Sequence, residues 1–393
     1  MTHNKNNWLG NMAHQNSTLA PKGAISSNWH KRDNLCDCIQ IARSENIGPV
    51  TFQWLMQSFA SPEVALKALP QMKRKSARAK PFKLAPRKKC EEEINLTHQR
   101  GGRMLVWGSP DYPKLLSHIP APPSVISTFG HLTLTTRPCV AIVGGRNASA
   151  AGLTLAKNLS MELSRRGLVT VSGLARGVDT IVHRASLEGG TISVIANGIL
   201  SDYPPENKDL KSQIEAAGLM ICENPPDTKP HANLFPRRNR IIAGLAQATL
   251  VIEAARRSGS LITARLANEF GRDVMAVPGS PLDPRCHGSN NLLRNGAILV
   301  ETADDIMDAL AGSASGVEAN HQPPLVNLTE NEHALSDIDR DEILRLLGPT
   351  PVSVNELVAL SETPLPLIYQ ALVELELSGR LDRHQNGQIS IRN

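Results

Sequence analysis

The stretch Val140-Ala141-Ile142-Val143-Gly144-Gly145-Arg146-Asn147 decides the fold, because four consecutive apolar residues run directly into two glycines and an arginine. A strand exposed on one face alternates apolar with polar residues, whereas an unbroken apolar run marks a strand buried on both faces, as in a parallel sheet covered by helices. The same texture returns at helix-length intervals in Leu168-Val169-Thr170-Val171, Ile192-Ser193-Val194-Ile195, Leu219-Met220-Ile221, Leu250-Val251-Ile252 and Val274-Met275-Ala276-Val277. Ala297 to Val300 supplies a last strand before a helix ending near Leu310. Short apolar runs alternating with helices specify an α/β domain over residues 105–310, an extended, doubly wound, Rossmann-like parallel sheet.

The flanks have a different texture. Residues 1–32 are rich in Asn, Ser and His with little periodic apolar content, and read as a disordered leader. From Asp33, Leu35, Ile39, Leu55, Phe59, Leu66 and Leu69 recur at helical spacing around the breaker Ile47-Gly48-Pro49, which predicts a small helical domain within residues 33–104. Lys73 to Lys89 hold nine Lys/Arg and no acid and are followed by Glu91-Glu92-Glu93; such a run reads as a solvated helix face or linker before it reads as a nucleic acid contact. Pro110 to Pro123 reads as a connector and residues 311–334 as a linker. Residues 335–393 predict helices around Asp341 to Leu347, Val354 to Leu360 and Pro364 to Ser378, then a polar hairpin at Asn386-Gly387, which together describe a winged helix.

Composition sets limits. Among 393 residues, 42 Lys+Arg against 37 Asp+Glu leave a net charge of +5, which permits nucleic acid binding without demanding it. The six cysteines never form a Cys-x-x-Cys pair, so neither a disulfide framework nor a zinc site is expected, and no cofactor is implied. No apolar run reaches the roughly 18 to 20 residues of a membrane-spanning helix, and no signal-peptide core stands at the N-terminus, so the expectation is a cytoplasmic protein without membrane insertion.

In an open parallel sheet ligands bind beyond the carboxyl ends of the strands, so the loops there are the place to look for a site. Gly144-Gly145-Arg146 precedes a helix that Ser149 can cap, and glycine N–H groups, a helix N-terminus and a guanidinium fork together suit a phosphate. Ser172-Gly173 opens a second such loop, in which Asp179 reads as a helix cap and His183 as a packed partner rather than half of a catalytic dyad. Ser258-Gly259-Ser260 is another loop of the same kind. Phe235-Pro236-Arg237-Arg238-Asn239-Arg240 is the sharpest cluster. Arg237 and Arg240 fall on one helical face, Arg238 leans toward the buried side, and three arginines oppose the helix dipole unless an anion arrives. Phe235 fits either a core position or a stacking platform.

Other chemistries lack their residues. A dinucleotide fingerprint needs Gly-x-Gly-x-x-Gly and an acid after the second strand, where Ser172-Gly173 stands instead; no Gly-x-x-x-x-Gly-Lys-Ser/Thr exists; and Cys286-His287 lacks further metal ligands nearby.

In order, Ile142-Val143-Gly144-Gly145-Arg146, Val171-Ser172-Gly173-Leu174-Ala175-Arg176-Gly177-Val178-Asp179, Phe235 to Leu245, Glu253-Ala254 with Ser258 to Ala264, and Val277-Pro278-Gly279-Ser280 resemble the DNA-processing protein A family, DprA or Smf. Tyr203-Pro204-Pro205-Glu206-Asn207 and Gly288-Ser289-Asn290 also match its pattern, while Gly145 replaces the usual Ser and Val178 the usual Ile. The resemblance implies single-stranded DNA as ligand, a homodimer formed through the α/β domain, a RecA-type recombinase as partner in natural transformation, and no catalysis. It implies an N-terminal module of sterile-alpha-motif or helix-hairpin-helix type. The DNA contacts expected are Gly144, Gly145, Arg146, Ser172, Gly173, Phe235, Arg237, Arg238, Asn239, Arg240, Ser258, Gly259 and Asn290.

A rival reading is a phosphoribohydrolase-like nucleotide-processing enzyme on the same fold, whose Pro-Gly-Gly-x-Gly-Thr-x-x-Glu motif would fall at Ser258 to Thr263. The first carboxylate downstream is Glu269, about two turns along the helix and badly placed for acid–base cleavage. A sequence-specific regulator is disfavoured because the third helix of the winged helix carries Glu374 and Glu376, with Arg380 only at its end, where base-reading Arg, Asn or Gln would be needed.

Overall fold

The apolar runs become the centre of a nine-stranded sheet in the computed structural model, which describes residues 32–71, 83–317 and 337–391 except 362, 364, 379 and 385–387. The strands are β1 (Arg103–Val106), β2 (Val125–Gly130), β3 (Cys139–Gly144), β4 (Val169–Ser172), β5 (Thr191–Ile195), β6 (Leu219–Cys222), β7 (Ala248–Ile252), β8 (Asp273–Ala276) and β9 (Ile298–Leu299), in the order β1-β2-β6-β5-β4-β3-β7-β8-β9. From β6 across to β9 every pairing is parallel, whereas β2 joins β6 and β1 joins β2 antiparallel.

Alternate residues of β3 serve opposite faces, as the strand period of two requires. Ala141 and Val143 pack with Ile241, Ile242 and Leu245 of the helix Leu234–Leu245 and with Ala264 of the helix Ser260–Glu269. Val140 and Ile142 pack with Ala156, Leu159 and Leu163 of the helix Ala150–Arg165, with Val182, and with Ile306 of the helix Ala303–Val317. The helices following β3 and β7 thus leave adjacent strands for opposite faces, and strand order reverses there. That divergence opens the crevice in which ligands of such sheets bind.

The strands β1 and β2 are not predicted from the apolar pattern. Each is one short run, and Ser127 and Thr128 interrupt the second, so no helix-strand alternation announces them. Pro110 to Pro123 links the two, pinned where the Tyr112 hydroxyl donates to the Pro123 carbonyl at 2.7 Å. The helix expected to end near Leu310 continues to Val317, so residues 311–317 are helical rather than linker. Arg32 likewise belongs to the first helix and not to a leader. The leader's residues 1–31, residues 72–82 of the basic segment, residues 318–334 of the linker and the Asn386-Gly387 turn lie outside the described residues.

Helices Arg32–Arg43, Pro49–Ser58, Pro62–Ala68 and Arg87–Gln99 enclose Ile39, Phe52, Leu55, Leu69 and Ile94, and this bundle packs on Met104, Val106 and Val125 of the antiparallel edge. From the basic run, Arg87 pairs with Asp37 at 2.5 Å and Lys83 with Glu45 at 3.0 Å, as a solvated face would allow. At the other end, helices Asp337–Leu346, Val354–Leu360 and Leu365–Leu377 and the antiparallel strands β10 (Leu381–Arg383) and β11 (Ile389–Ile391) surround Ile343, Leu357, Ile368, Leu372 and Ile389. Three helices and a two-stranded wing thus make a winged helix. Its third helix touches the N-terminal bundle, where the Thr51 hydroxyl donates to Glu376 at 3.4 Å.

Candidate nucleic-acid interface

The glycines after β3 do something other than cradle an anion. A Cβ on Gly144 would strike the Ile252 carbonyl, so the residue is needed for β3 and β7 to lie close at their ends. The Gly145 N–H donates to that carbonyl at 3.2 Å, and the Gly145 carbonyl accepts from Val178 at 3.2 Å. Ser149 caps its helix as expected, accepting from the Gly152 N–H at 3.0 Å. The helix N-terminus, however, is already occupied by a carboxylate of the chain itself. Glu253, held at φ +48°, accepts from the Ser149 N–H at 2.7 Å and from the Ser149 hydroxyl. Its negative charge satisfies the partial positive charge there, which corrects the expectation of a phosphate at this turn.

Several other expected DNA contacts also have internal partners. The Ser172 hydroxyl is fully buried and donates to the Ile142 carbonyl at 2.7 Å. Asn290 clasps Gly279, accepting from its N–H at 3.0 Å and donating to its carbonyl at 2.8 Å. Asn239 donates to the Gly259 carbonyl at 3.2 Å, and the Ser258 and Ser260 hydroxyls bond each other at 2.7 Å. Arg240 donates to the Ala121 carbonyl at 2.7 Å and to Glu223 at 2.5 Å, with little of it exposed. Each of these polar groups thus makes a bond within the fold, which the sequence reading does not anticipate.

Arg238 lies under the site. It is 6% exposed and donates to the carbonyls of Gly173 and Val194, at the ends of β4 and β5. A Cβ on Gly173 would meet that guanidinium, so a side chain here would displace Arg238. Burial pushes the Arg238 pKa down to about 10; nearby Asp179 opposes the shift and Arg146 adds to it. Asp179 turns back to accept from the N–H groups of Gly173 (3.1 Å) and Ala175 (3.3 Å), so it ties down the loop rather than capping the helix, and burial raises its pKa against the pull of Arg238. His183 bonds the Thr191 hydroxyl at 2.7 Å and is pushed down to about 3 by burial, so it is a neutral packed histidine with no part in a dyad.

Arg146, Phe235, Arg237 and Gly259 remain at the surface. Arg146 lies with its guanidinium 5.6 Å from the centre of the Phe235 ring, a cation–π distance. Tyr203 packs on the same ring at 5.6 Å between centroids, tilted by 50°. Phe235 belongs to no core cluster among the described residues, which decides between its two sequence readings in favour of a partly open aromatic face. A groove lined by Arg146, Gly173, Asn197, Tyr203, Phe235 and Arg238 runs between these loops, and no carboxylate lines it. The sequence reading noted Tyr203 only as part of a pattern. Arg256 and Arg257, two adjacent exposed arginines in the loop after β7, are not among the expected contacts, and their position at a strand end is the signal that marks them.

Fold and groove define a doubly wound α/β protein with an arginine-lined groove, a helical module before it and a winged helix after it. Among known families, DNA recombination-mediator protein A matches residues 103–311, the DprA-like N-terminal HHH domain residues 32–95, and the DprA winged helix domain residues 328–387. The chain belongs to the DNA recombination-mediator protein A family, and its N-terminal module is of the helix-hairpin-helix type. It is 32% identical over 375 residues to the Smf protein of Synechocystis sp., covering 85% of this chain and 93% of that one. It is 41% identical over 215 residues to the DNA processing protein DprA of Bacillus subtilis, covering 54% of this chain and 72% of the relative. The X-ray structure of DprA from Streptococcus pneumoniae is similar with a TM-score of 0.55 and 34% identity, over 67% of this chain and 86% of that chain.

Proposed function

We propose that the chain binds single-stranded DNA in the groove at the carboxyl edge of the sheet and acts in the cytoplasm as a non-catalytic mediator, loading a RecA-type recombinase onto DNA taken up in natural transformation. The observation that carries the DNA reading is the stack of Arg146 and Tyr203 on the half-open ring of Phe235. An open aromatic face accepts any unpaired base, whereas a duplex keeps its bases stacked on one another. Arg146 and buried Arg238 repel, and a phosphate beside Arg146 relieves that repulsion. The recombinase partner rests on family membership alone. A homodimer through the α/β domain fits the sheet edge at β9, where Leu299 is 49% exposed.

The phosphoribohydrolase reading requires a free carboxylate. Glu253 stands at the end of β7 but is bonded to Ser149, and Glu269 pairs with Arg265 at 3.5 Å. A titration of the purified chain with single-stranded, duplex and mononucleotide ligands tests the proposal. Tight single-strand binding that weakens steeply with salt supports it. Equal or tighter duplex affinity contradicts it, and release of free base from a nucleoside monophosphate favours the enzyme.

A further inference from the structure

Helix Leu234–Leu245 carries Phe235 and Arg237 in its first turn, yet its N-terminus has no side-chain cap and its opening turns hold three arginines at the end where the dipole is positive. Both features work against a well-ordered start to the helix that forms one wall of the groove. Its order has to come from elsewhere.

Arg238 and Asn239 supply part of it through their bonds to Gly173, Val194 and Gly259, and Arg240, one turn along from Arg237, ties the helix to the rest of the molecule. The guanidinium holds the Ala121 carbonyl in the connector between β1 and β2 with one nitrogen and Glu223, just after β6, with another. Glu223 also serves the N-terminal module, because its carbonyl accepts from Arg43 at 2.9 Å. Arg43 is in turn held by Glu93 through two bonds of 2.7 and 3.1 Å. Arg240 and Glu223 are 16% and 13% exposed, so the pair is shielded from solvent, where an ion pair is harder to replace with water than on an open surface. The helical module, the connector of the antiparallel edge and the groove helix meet on this pair of residues.

We propose that Glu223 is a positioning residue for the groove. Through Arg240 it fixes the helix that presents Phe235 and Arg237, and through its carbonyl it couples that helix to the N-terminal module. The proposal rests on the groove being the single-strand site, and it gives Arg240 a role in holding the helix instead of a phosphate.

The test is Glu223→Gln in the full chain, with single-strand affinity measured across a salt series and amide hydrogen exchange measured over residues 234–240 without DNA. Removing a negative charge near a basic groove would by attraction alone tighten polyanion binding. Positioning predicts the opposite sign: affinity falls ~5- to 10-fold, the slope of log K against log salt is unchanged, and exchange at 234–240 accelerates. Affinity equal to or above the parent's, with unchanged exchange, overturns the proposal. Arg240→Lys is the second variant, should the first fail to fold. It keeps the charge but cannot span both partners, so positioning predicts the same loss, and retained affinity at an unchanged exchange rate contradicts it. Arg146→Ala, measured alongside, reports on the groove itself. If it binds like the parent the DNA reading falls, while the exchange measurement still decides whether Glu223 holds the helix.

Discussion

Phe235 and Arg146 share one contact but contribute different energies, and salt separates them. Arg146→Ala removes a charge-assisted phosphate bond, so single-strand affinity should fall by about 1 to 3 kcal/mol and the salt slope by about one counterion. Phe235→Ala removes a stacking face. It should cost a similar ~1 to 3 kcal/mol while the slope stays at the parent value, and melting should shift little because the ring lies outside the core clusters. A much lower melting temperature with normal binding in the cold would return Phe235 to the core. His183 carries a separate prediction. Its folded pKa of about 3 lies below the unfolded value near 6.5, so the folded chain favours the neutral ring. That contribution to stability is complete above about pH 6.5 and is lost as pH falls toward 3. Urea midpoints should therefore drop between pH 7.5 and 5, and His183→Gln should flatten the drop; parallel curves for the two proteins would assign the acid sensitivity elsewhere.

Among elements, the turn between β3 and its helix shows where sequence reading succeeds and where it stops. Ser149 is legible as a cap because its hydroxyl reaches the N–H three residues on, which is a local relation. Glu253 is not legible as the second half of that cap, since it arrives from 104 residues away across the β3–β7 pairing. The same limit explains the other revisions. Arg240 meets Ala121 and Glu223, and Asn290 meets Gly279, through contacts that no helical or strand period encodes. The seven parallel strands were readable because burial on both faces forces unbroken apolar runs, whereas β1 and β2, short and partly polar, carried no such mark. Ser149→Ala tests the revised role of this turn. It should cost about 0.5 to 2 kcal/mol of stability and leave single-strand affinity unchanged, as melting and titration on one preparation would show. A loss of affinity beyond what the lower stability explains would return the phosphate to the helix N-terminus.

At the scale of the whole molecule, the residues that line the groove end at Arg238, and the winged helix supplies none of them. Thr51 of helix Pro49–Ser58 is 1% exposed and donates to Glu376 of the third helix of the winged helix. Deleting residues 318–393 should therefore uncover Thr51 while leaving single-strand affinity within about twofold, since no residue lining the groove is lost. Loss of most of the affinity in that truncation would mean that the winged helix touches the strand directly. A single strand in the proposed groove lies against Phe235 and Tyr203 at the carboxyl edge of the sheet. The most direct measurement is photocrosslinking of a bromouracil-substituted oligonucleotide to the full chain, with the adducts located by peptide mass spectrometry. Adducts concentrated on the peptides containing Tyr203 and Phe235, and reduced by Arg146→Ala, are the predicted result; adducts confined to the winged helix or the N-terminal module would contradict it.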